Sequence, residues 1–172
     1  LMTGRYQQRF GHEHNVPFAP QDSTMGTPKN EVFLSKKLKE AGYKTSAIGK
    51  WHLGNYPSFL PPQRGFDHWF GFSGGNMNYW GYPSGKNKTM HIQRNGENVD
   101  HNELTYLTDD FTNEALSFIK QQKDTPFFMY LSYNAPHSPD HATKQYLEKA
   151  NHIENGIRSV YAAMIAGVDQ GI

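Results

Sequence analysis

The chain has no cysteine among its 172 residues, and it has no excess of charge of either sign. The first absence excludes a disulfide framework, a thiolate zinc site and, within these residues, a cysteine nucleophile. The second absence, 17 Lys and Arg residues against 16 Asp and Glu residues, removes the one-signed field that holds proteins on nucleic acid or anionic lipid. We therefore expect no nucleic-acid partner.

Long apolar runs are also missing. The longest run, residues 126–131, has the length of a strand, whereas a membrane span needs roughly 18 apolar residues. We expect no membrane span, and the length of the chain suits one globular domain.

Local signals predict an α/β protein in which helices and strands form layers. A helix is expected from a cap at Thr27, with Pro28 at its first position, to a stop at Gly42; a strand follows over residues 43–48 and ends at Gly49. Elsewhere the pattern predicts mostly loop over residues 1–28 and a hairpin at Asn95–Gly96. It predicts a central strand, covered on both faces, over residues 126–133. Three further helices are predicted over residues 104–123, 143–150 and 157–168.

Lys50 and His52 are the first candidates for chemistry. In an extended chain, residues two apart point to the same side, so both would project together while Trp51 faces the core. An ammonium beside an imidazole suits an anionic tetrahedral substrate, because one supplies charge and the other exchanges a proton near neutral pH. The alternative is a solvated lysine and a histidine that is hydrogen-bonded to backbone.

His137 is the second candidate. It lies between Pro136 and Pro139, just past the apolar run, which is where open α/β sheets place ligands. A histidine with a restrained backbone is suited to acid–base chemistry, although a purely structural role remains the alternative.

The amino-terminal region gives weaker signals. Arg5 is ambiguous, since a lone arginine is usually a surface or ion-pair residue. His12 and His14 could ligate a metal, but no matching carboxylate pair is near, so we interpret them as part of a solvated loop. Asn87 begins a glycosylation sequon, which has a meaning only in a eukaryotic protein that enters the secretory route, so we draw no conclusion from it.

Six segments in order resemble one family, the type I sulfatases. LMTGR at the start resembles the end of their first signature, C/S-x-P-S-R-x-x-L-x-T-G-R, and GKWHLG at residues 49–54 resembles the core of the second. The resemblance continues, in family order, through LPPQRGFDHWFGF, YLTDDFTNEALSFI, PFFMYLSYNAPHSP and YAAMIAGVDQGI. It covers nearly the whole chain and implies an arylsulfatase-like enzyme of the alkaline-phosphatase-like superfamily, with a mixed sheet between helices.

The resemblance also implies roles for individual residues. Lys50 would hold the sulfate oxygens, and His52 would hydrogen-bond the hydroxyl of a formylglycine. His137 would lie by the leaving-group oxygen as a proton donor or sulfate ligand, and Arg5 would support the turn that carries the nucleophile. Fixed cations and donors suit a transition state that carries negative charge.

The same resemblance implies parts that these residues do not supply. The formylglycine, made from Cys or Ser, would lie seven residues before Leu1, and the calcium ligands of the family would also lie outside the chain. Residues 1–172 would then be a fragment of the amino-terminal catalytic domain, truncated at both ends and inert alone, of a secreted, periplasmic or lysosomal protein. We expect such a fragment to be poorly soluble or dimeric.

Three functions remain open at this point. The first is hydrolysis of a small-molecule or carbohydrate sulfate ester. The second is a phosphodiesterase or phosphonate monoester hydrolase that uses the same formylglycine chemistry. The third is a non-catalytic module that binds sulfated glycans, for which the aromatics in residues 69–82 permit sugar stacking. Some sulfatases have a substrate-contacting Ser or His near the positions of residues 73–76. This sequence departs from that pattern, so the resemblance does not identify the leaving group.

Overall fold

A computed structural model describes residues 1–83 and 89–172; the Asn87 sequon falls partly outside the described residues. The described strands are β1 (Lys44–Lys50), β2 (His68–Phe72), β3 (Gln93–Arg94), β4 (Glu97–Asn98) and β5 (Phe127–Ser132). The described helices are α1 (Leu34–Glu40), α2 (Leu107–Gln122), α3 (Lys144–Lys149) and α4 (Gly156–Gly171). None of these helices is long and apolar enough to cross a membrane.

The strands form one mixed sheet in the order β4-β3-β2-β1-β5. β1 runs parallel to β2 and to β5, whereas the β3–β4 hairpin is antiparallel. Gly49 of β1 pairs with Gly71 of β2 on one side and with Ser132 of β5 on the other. Because the three parallel strands end at the same edge, the segments that follow them begin side by side.

Both faces of the sheet are covered, as the α/β prediction requires. One face packs on α2 through an apolar cluster that includes Ile48, Phe70, Phe72, Leu107 and Phe111. The opposite face packs on the residues around α1 through a second cluster that includes Phe33, Ala47, Trp51, Phe66 and Trp69. A third cluster joins the segment before α2 to α3 and α4 and includes Tyr79, Tyr106, Tyr146, Ala163 and Met164.

The first helix begins later than predicted. α1 starts at Leu34, and residues 28–31 form a single turn in which the Glu31 N–H donates to the Pro28 carbonyl. The guanidinium of Arg64 donates to the carbonyls of Pro28 and Glu31, each at 3.1 Å. In a helix that began at Pro28, these two carbonyls would accept hydrogen bonds from backbone N–H groups of the next turn. The contact with Arg64 competes with those bonds.

Two strand predictions also need correction. β1 does not end at Gly49 but continues to Lys50. Glycine permits this, because Gly49 has a φ of 103° and a Cβ there would lie only 2.0 Å from the Ser132 carbonyl oxygen. β5 was predicted to be central, but it is the edge strand of the described sheet and most of its residues are half-exposed. The Asn95–Gly96 hairpin is confirmed between β3 and β4.

Candidate active site

The segment after β1 is held by main-chain bonds to the segment after β2. The Trp51 N–H donates to the Phe72 carbonyl at 3.0 Å, and the His52 N–H donates to the Ser73 carbonyl at 3.1 Å. Trp51 is buried and its indole N–H donates to the Phe59 carbonyl at 2.9 Å, so it anchors the segment in the core as expected. The chain is not extended at His52, however, because its φ is +54°.

The imidazole of His52 is held on two sides. Its Nε2 lies 3.0 Å from the Val16 carbonyl oxygen; a carbonyl only accepts, so the hydrogen bond assigns the proton to Nε2 and leaves Nδ1 as an acceptor. On another side, a Cβ added at Gly75 would lie 2.7 Å from Cε1 and 2.8 Å from Nε2. The backbone at Gly75 therefore packs directly on the ring.

The pKa of His52 depends on the charges of the other candidate residues. Burial lowers the pKa of His52, and the positive charges of Lys50, His137 and His12 lower this pKa further, against an opposing hydrogen bond to Val16. Burial also lowers the pKa of Lys50, so its ammonium is partly stripped of water. Lys50 and His137 thus lie close enough to His52 to act on its charge, although they follow different strands.

His137 follows β5 in a turn. Its N–H donates to the Asn134 carbonyl at 2.9 Å, and its Nδ1 lies 2.8 Å from the Ser138 carbonyl oxygen. This second contact assigns a proton to Nδ1, and Nε2 has no hydrogen-bond partner in residues 1–83 or 89–172 and lies on an exposed ring. His137 can therefore exchange a proton through Nε2.

The amino-terminal residues behave differently from one another. Arg5 forms an ion pair with the buried carboxylate of Glu31, which ties the first loop to the residues before α1. His14 is exposed, as a solvated loop requires. His12 lies in the loop as predicted, but it is half-buried, with its Nδ1 3.4 Å from the Thr27 hydroxyl, so it is less solvated than expected.

Metal binding finds no support in the described ranges. Within residues 1–83 and 89–172, no three His, Asp or Glu side chains gather to hold a metal ion.

Sequence reasoning gave no role to two residues next to the candidates, namely Gly75 and Tyr79. The Tyr79 hydroxyl donates to the His137 carbonyl at 2.8 Å. Only the Gly74–Gly75 doublet gave a usable signal, because paired glycines often mark a close approach of backbone to another group.

A sequence model of the family described as "Sulfatase" matches residues 1–172. The chain belongs to the sulfatase family. Along its whole length it is 33% identical to mouse (Mus musculus) N-acetylgalactosamine-6-sulfatase, of which it covers 35%. This sulfatase chain thus spans about a third of the length of that curated relative.

Solved structures agree with the family assignment. Ps i-CgsB in complex with k-i-k-neocarrahexaose is 38% identical with a TM-score of 0.87, over 99% of this chain and 40% of that one. BT4656 in complex with its substrate D-glucosamine-2-N,6-O-disulfate is 26% identical with a TM-score of 0.59, over 88% of this chain and 26% of that one. The sulfatase has the alkaline-phosphatase-like fold of its structural neighbours.

Proposed function

We propose that the protein to which this sulfatase chain belongs is a sulfuric ester hydrolase, and that Lys50, His52 and His137 act on one bound sulfate ester. The observation that supports this most strongly is electrostatic: the charges of Lys50 and His137 both lower the pKa of His52. This coupling supports a shared region around His52 in which an added anion is favoured.

Each side chain has a role that follows from its surroundings. Lys50 binds sulfate oxygens, because a partly desolvated ammonium attracts an oxyanion more strongly than a hydrated one. His52, with Nε2 bonded to Val16, presents Nδ1 to the nucleophile. A formylglycine hydrate, from a residue outside this chain, supplies the nucleophilic oxygen when present.

His137 serves the leaving group. As the bond between sulfur and the ester oxygen breaks, that oxygen keeps the electron pair, and it takes a proton from Nε2 of a protonated His137. With Nδ1 engaged by the Ser138 carbonyl, Nε2 is the ring nitrogen that makes this transfer. Arg5 acts indirectly, since its ion pair with Glu31 fixes the loop that precedes the site.

We propose a sulfated carbohydrate as the substrate class. Support comes from two structural neighbours, whose complexes hold neocarrahexaose and a disulfated glucosamine. Calcium would be bound in the whole protein by residues beyond those described here. A secreted, periplasmic or lysosomal location belongs to the same proposal and can be tested by fractionation of the source cells.

The test measures sulfate release by the full-length protein from an aryl sulfate and from sulfated oligosaccharides. Lys50→Ala and His137→Ala are each expected to lower kcat/KM by roughly 10²–10⁴. Lys44→Ala, at the exposed start of β1, and His152→Ala, on an exposed turn, are controls that should retain activity. Unchanged rates in Lys50→Ala and His137→Ala would refute the assignment.

Matched phosphate esters distinguish the alternatives in the same assay. A large preference for phosphate would identify a phosphodiesterase or phosphonate hydrolase. Binding of the oligosaccharide without release of sulfate would identify a binding module.

A further inference from the structure

Tyr79 connects the core of the protein to the backbone of His137. Its side chain is fully buried, and its hydroxyl donates to the His137 carbonyl at 2.8 Å across 58 residues of sequence. Burial raises the pKa of Tyr79, so the phenol keeps its proton and remains a donor throughout the neutral range.

The ring of Tyr79 is itself held in place from several directions. It stacks on Tyr106 with ring centroids 5.7 Å apart and an angle of 24° between the planes. The ring of His141 also meets it edge-on, with the centroids 6.2 Å apart. The main-chain carbonyl of Tyr79 accepts from the N–H of Leu107, the first residue of α2, at 2.8 Å. These contacts fix the ring and backbone of Tyr79, so the position of its hydroxyl is fixed as well.

The contact matters because the remaining hydrogen bonds of His137 are local. Its N–H bonds to Asn134 and its Nδ1 to Ser138, both within the same loop. Among the described residues, the bond from Tyr79 is the one that ties His137 to a different part of the fold. Without it, the loop and its exposed imidazole could shift together relative to Lys50 and His52.

We infer that Tyr79 is a positioning residue for His137: its hydroxyl sets the place from which the imidazole reaches the leaving-group oxygen. The inference rests on the proposed role of His137 as a proton donor. It predicts a specific kinetic effect: a misplaced proton donor should lower kcat more for substrates with poor leaving groups than for substrates with good ones. A nitrophenolate leaves without much help, whereas a sugar alkoxide needs the proton.

The experiment uses the full-length enzyme and Tyr79→Phe, which keeps the ring and removes the hydroxyl. We expect kcat on a sugar sulfate to fall about tenfold with little change in KM, while kcat on 4-nitrophenyl sulfate falls less than about twofold. Both rates come from one preparation, so their ratio does not depend on the fraction of enzyme that is folded. Tyr106→Phe is the control, because it removes a like hydrogen bond, 2.9 Å long, to the His141 carbonyl.

The outcomes separate this inference from the proposed function. An unchanged ratio in Tyr79→Phe, with a changed ratio in His137→Ala, would overturn the role of Tyr79 alone. An unchanged ratio in His137→Ala would overturn the proton-donor role on which it rests. An equal change of ratio in Tyr106→Phe would show that general loosening of the aromatic cluster, and not the bond to His137, is responsible.

Discussion

His52 shows how a single side chain is oriented by groups far away in the sequence. The Val16 carbonyl, 36 residues away, fixes its tautomer at 3.0 Å, and the backbone of Gly75 packs on the other side of the ring. Burial and neighbouring positive charges lower the pKa of His52 and favour the neutral imidazole. The ring is therefore held in the protonation state and orientation that the proposed role needs.

Gly75→Ala should displace this ring. The added Cβ would lie 2.7 Å from Cε1 of His52, closer than real contacts allow, so the imidazole or the backbone must move. We expect kcat/KM of the full-length enzyme to fall about 10²-fold, as for other misplacements near 1 Å, with a small change in Tm. Gly156→Ala is the control, because a Cβ there meets nothing within 4 Å. Full activity in Gly75→Ala would contradict the account of His52.

The strands and α2 are joined by a partly buried polar network away from the candidate site. Glu114 of α2 accepts from His68 of β2 and from Arg94 of β3, both at 2.9 Å. The Ser46 hydroxyl of β1 lies 2.8 Å from Nδ1 of His68 and extends the network to a third strand. Burial alone would raise the pKa of Glu114, but the bonds from His68 and Arg94 outweigh it and lower the pKa to about 2.

Glu114→Gln should therefore destabilise the protein in a pH-dependent way. A pKa lowered from 4.5 to about 2 corresponds to about 3 kcal/mol of stability at neutral pH. This stability is present above pH 4.5 and is lost as the pH falls toward 2, so the wild type and the variant should converge in acid. Urea unfolding at several pH values measures the difference.

Glu103→Gln serves as the control for this measurement. Glu103 is mostly exposed and lies 3.5 Å from Arg94, so its removal should change the free energy of unfolding by less than about 0.5 kcal/mol. A Glu114→Gln difference that stays constant from pH 7 to pH 3 would contradict the linkage.

Elements with strong local signals were predictable from the sequence, and those decided by distant contacts were not. The Asn95–Gly96 turn and α2 follow from turn chemistry and apolar spacing, and the structure confirms both. The start of α1 depends on Arg64, and the place of β5 depends on sheet order, neither of which has a local signal. Likewise, the motifs indicated Lys50 and His137, whereas the contacts of Gly75 and Tyr79 join parts of the chain far apart in sequence.

The molecule as a whole leaves apolar surface uncovered. Ile157, Tyr161 and Ile165 recur every fourth residue on α4, and they are 74%, 47% and 44% exposed. Among the described residues, β5 pairs with β1 alone and leaves its other edge open. Exposed apolar stripes and open edges favour association.

Residues 1–172 expressed alone should therefore form dimers or larger species, as light scattering after gel filtration would show. Ile157→Lys together with Ile165→Glu should reduce this association, because both substitutions place charge on the stripe. A monomer that melts in one sharp cooperative transition would contradict the prediction.

The central claim is that Lys50, His52 and His137 meet around one oxyanion. A crystal structure of the full-length protein with a bound sulfated oligosaccharide tests it most directly. We predict the Nζ atom of Lys50 and the Nε2 atom of His137 within about 3.2 Å of oxygens of the same sulfate ester, with Nδ1 of His52 facing the nucleophile. A sulfate group bound elsewhere, or contacted by neither Lys50 nor His137, would contradict the account.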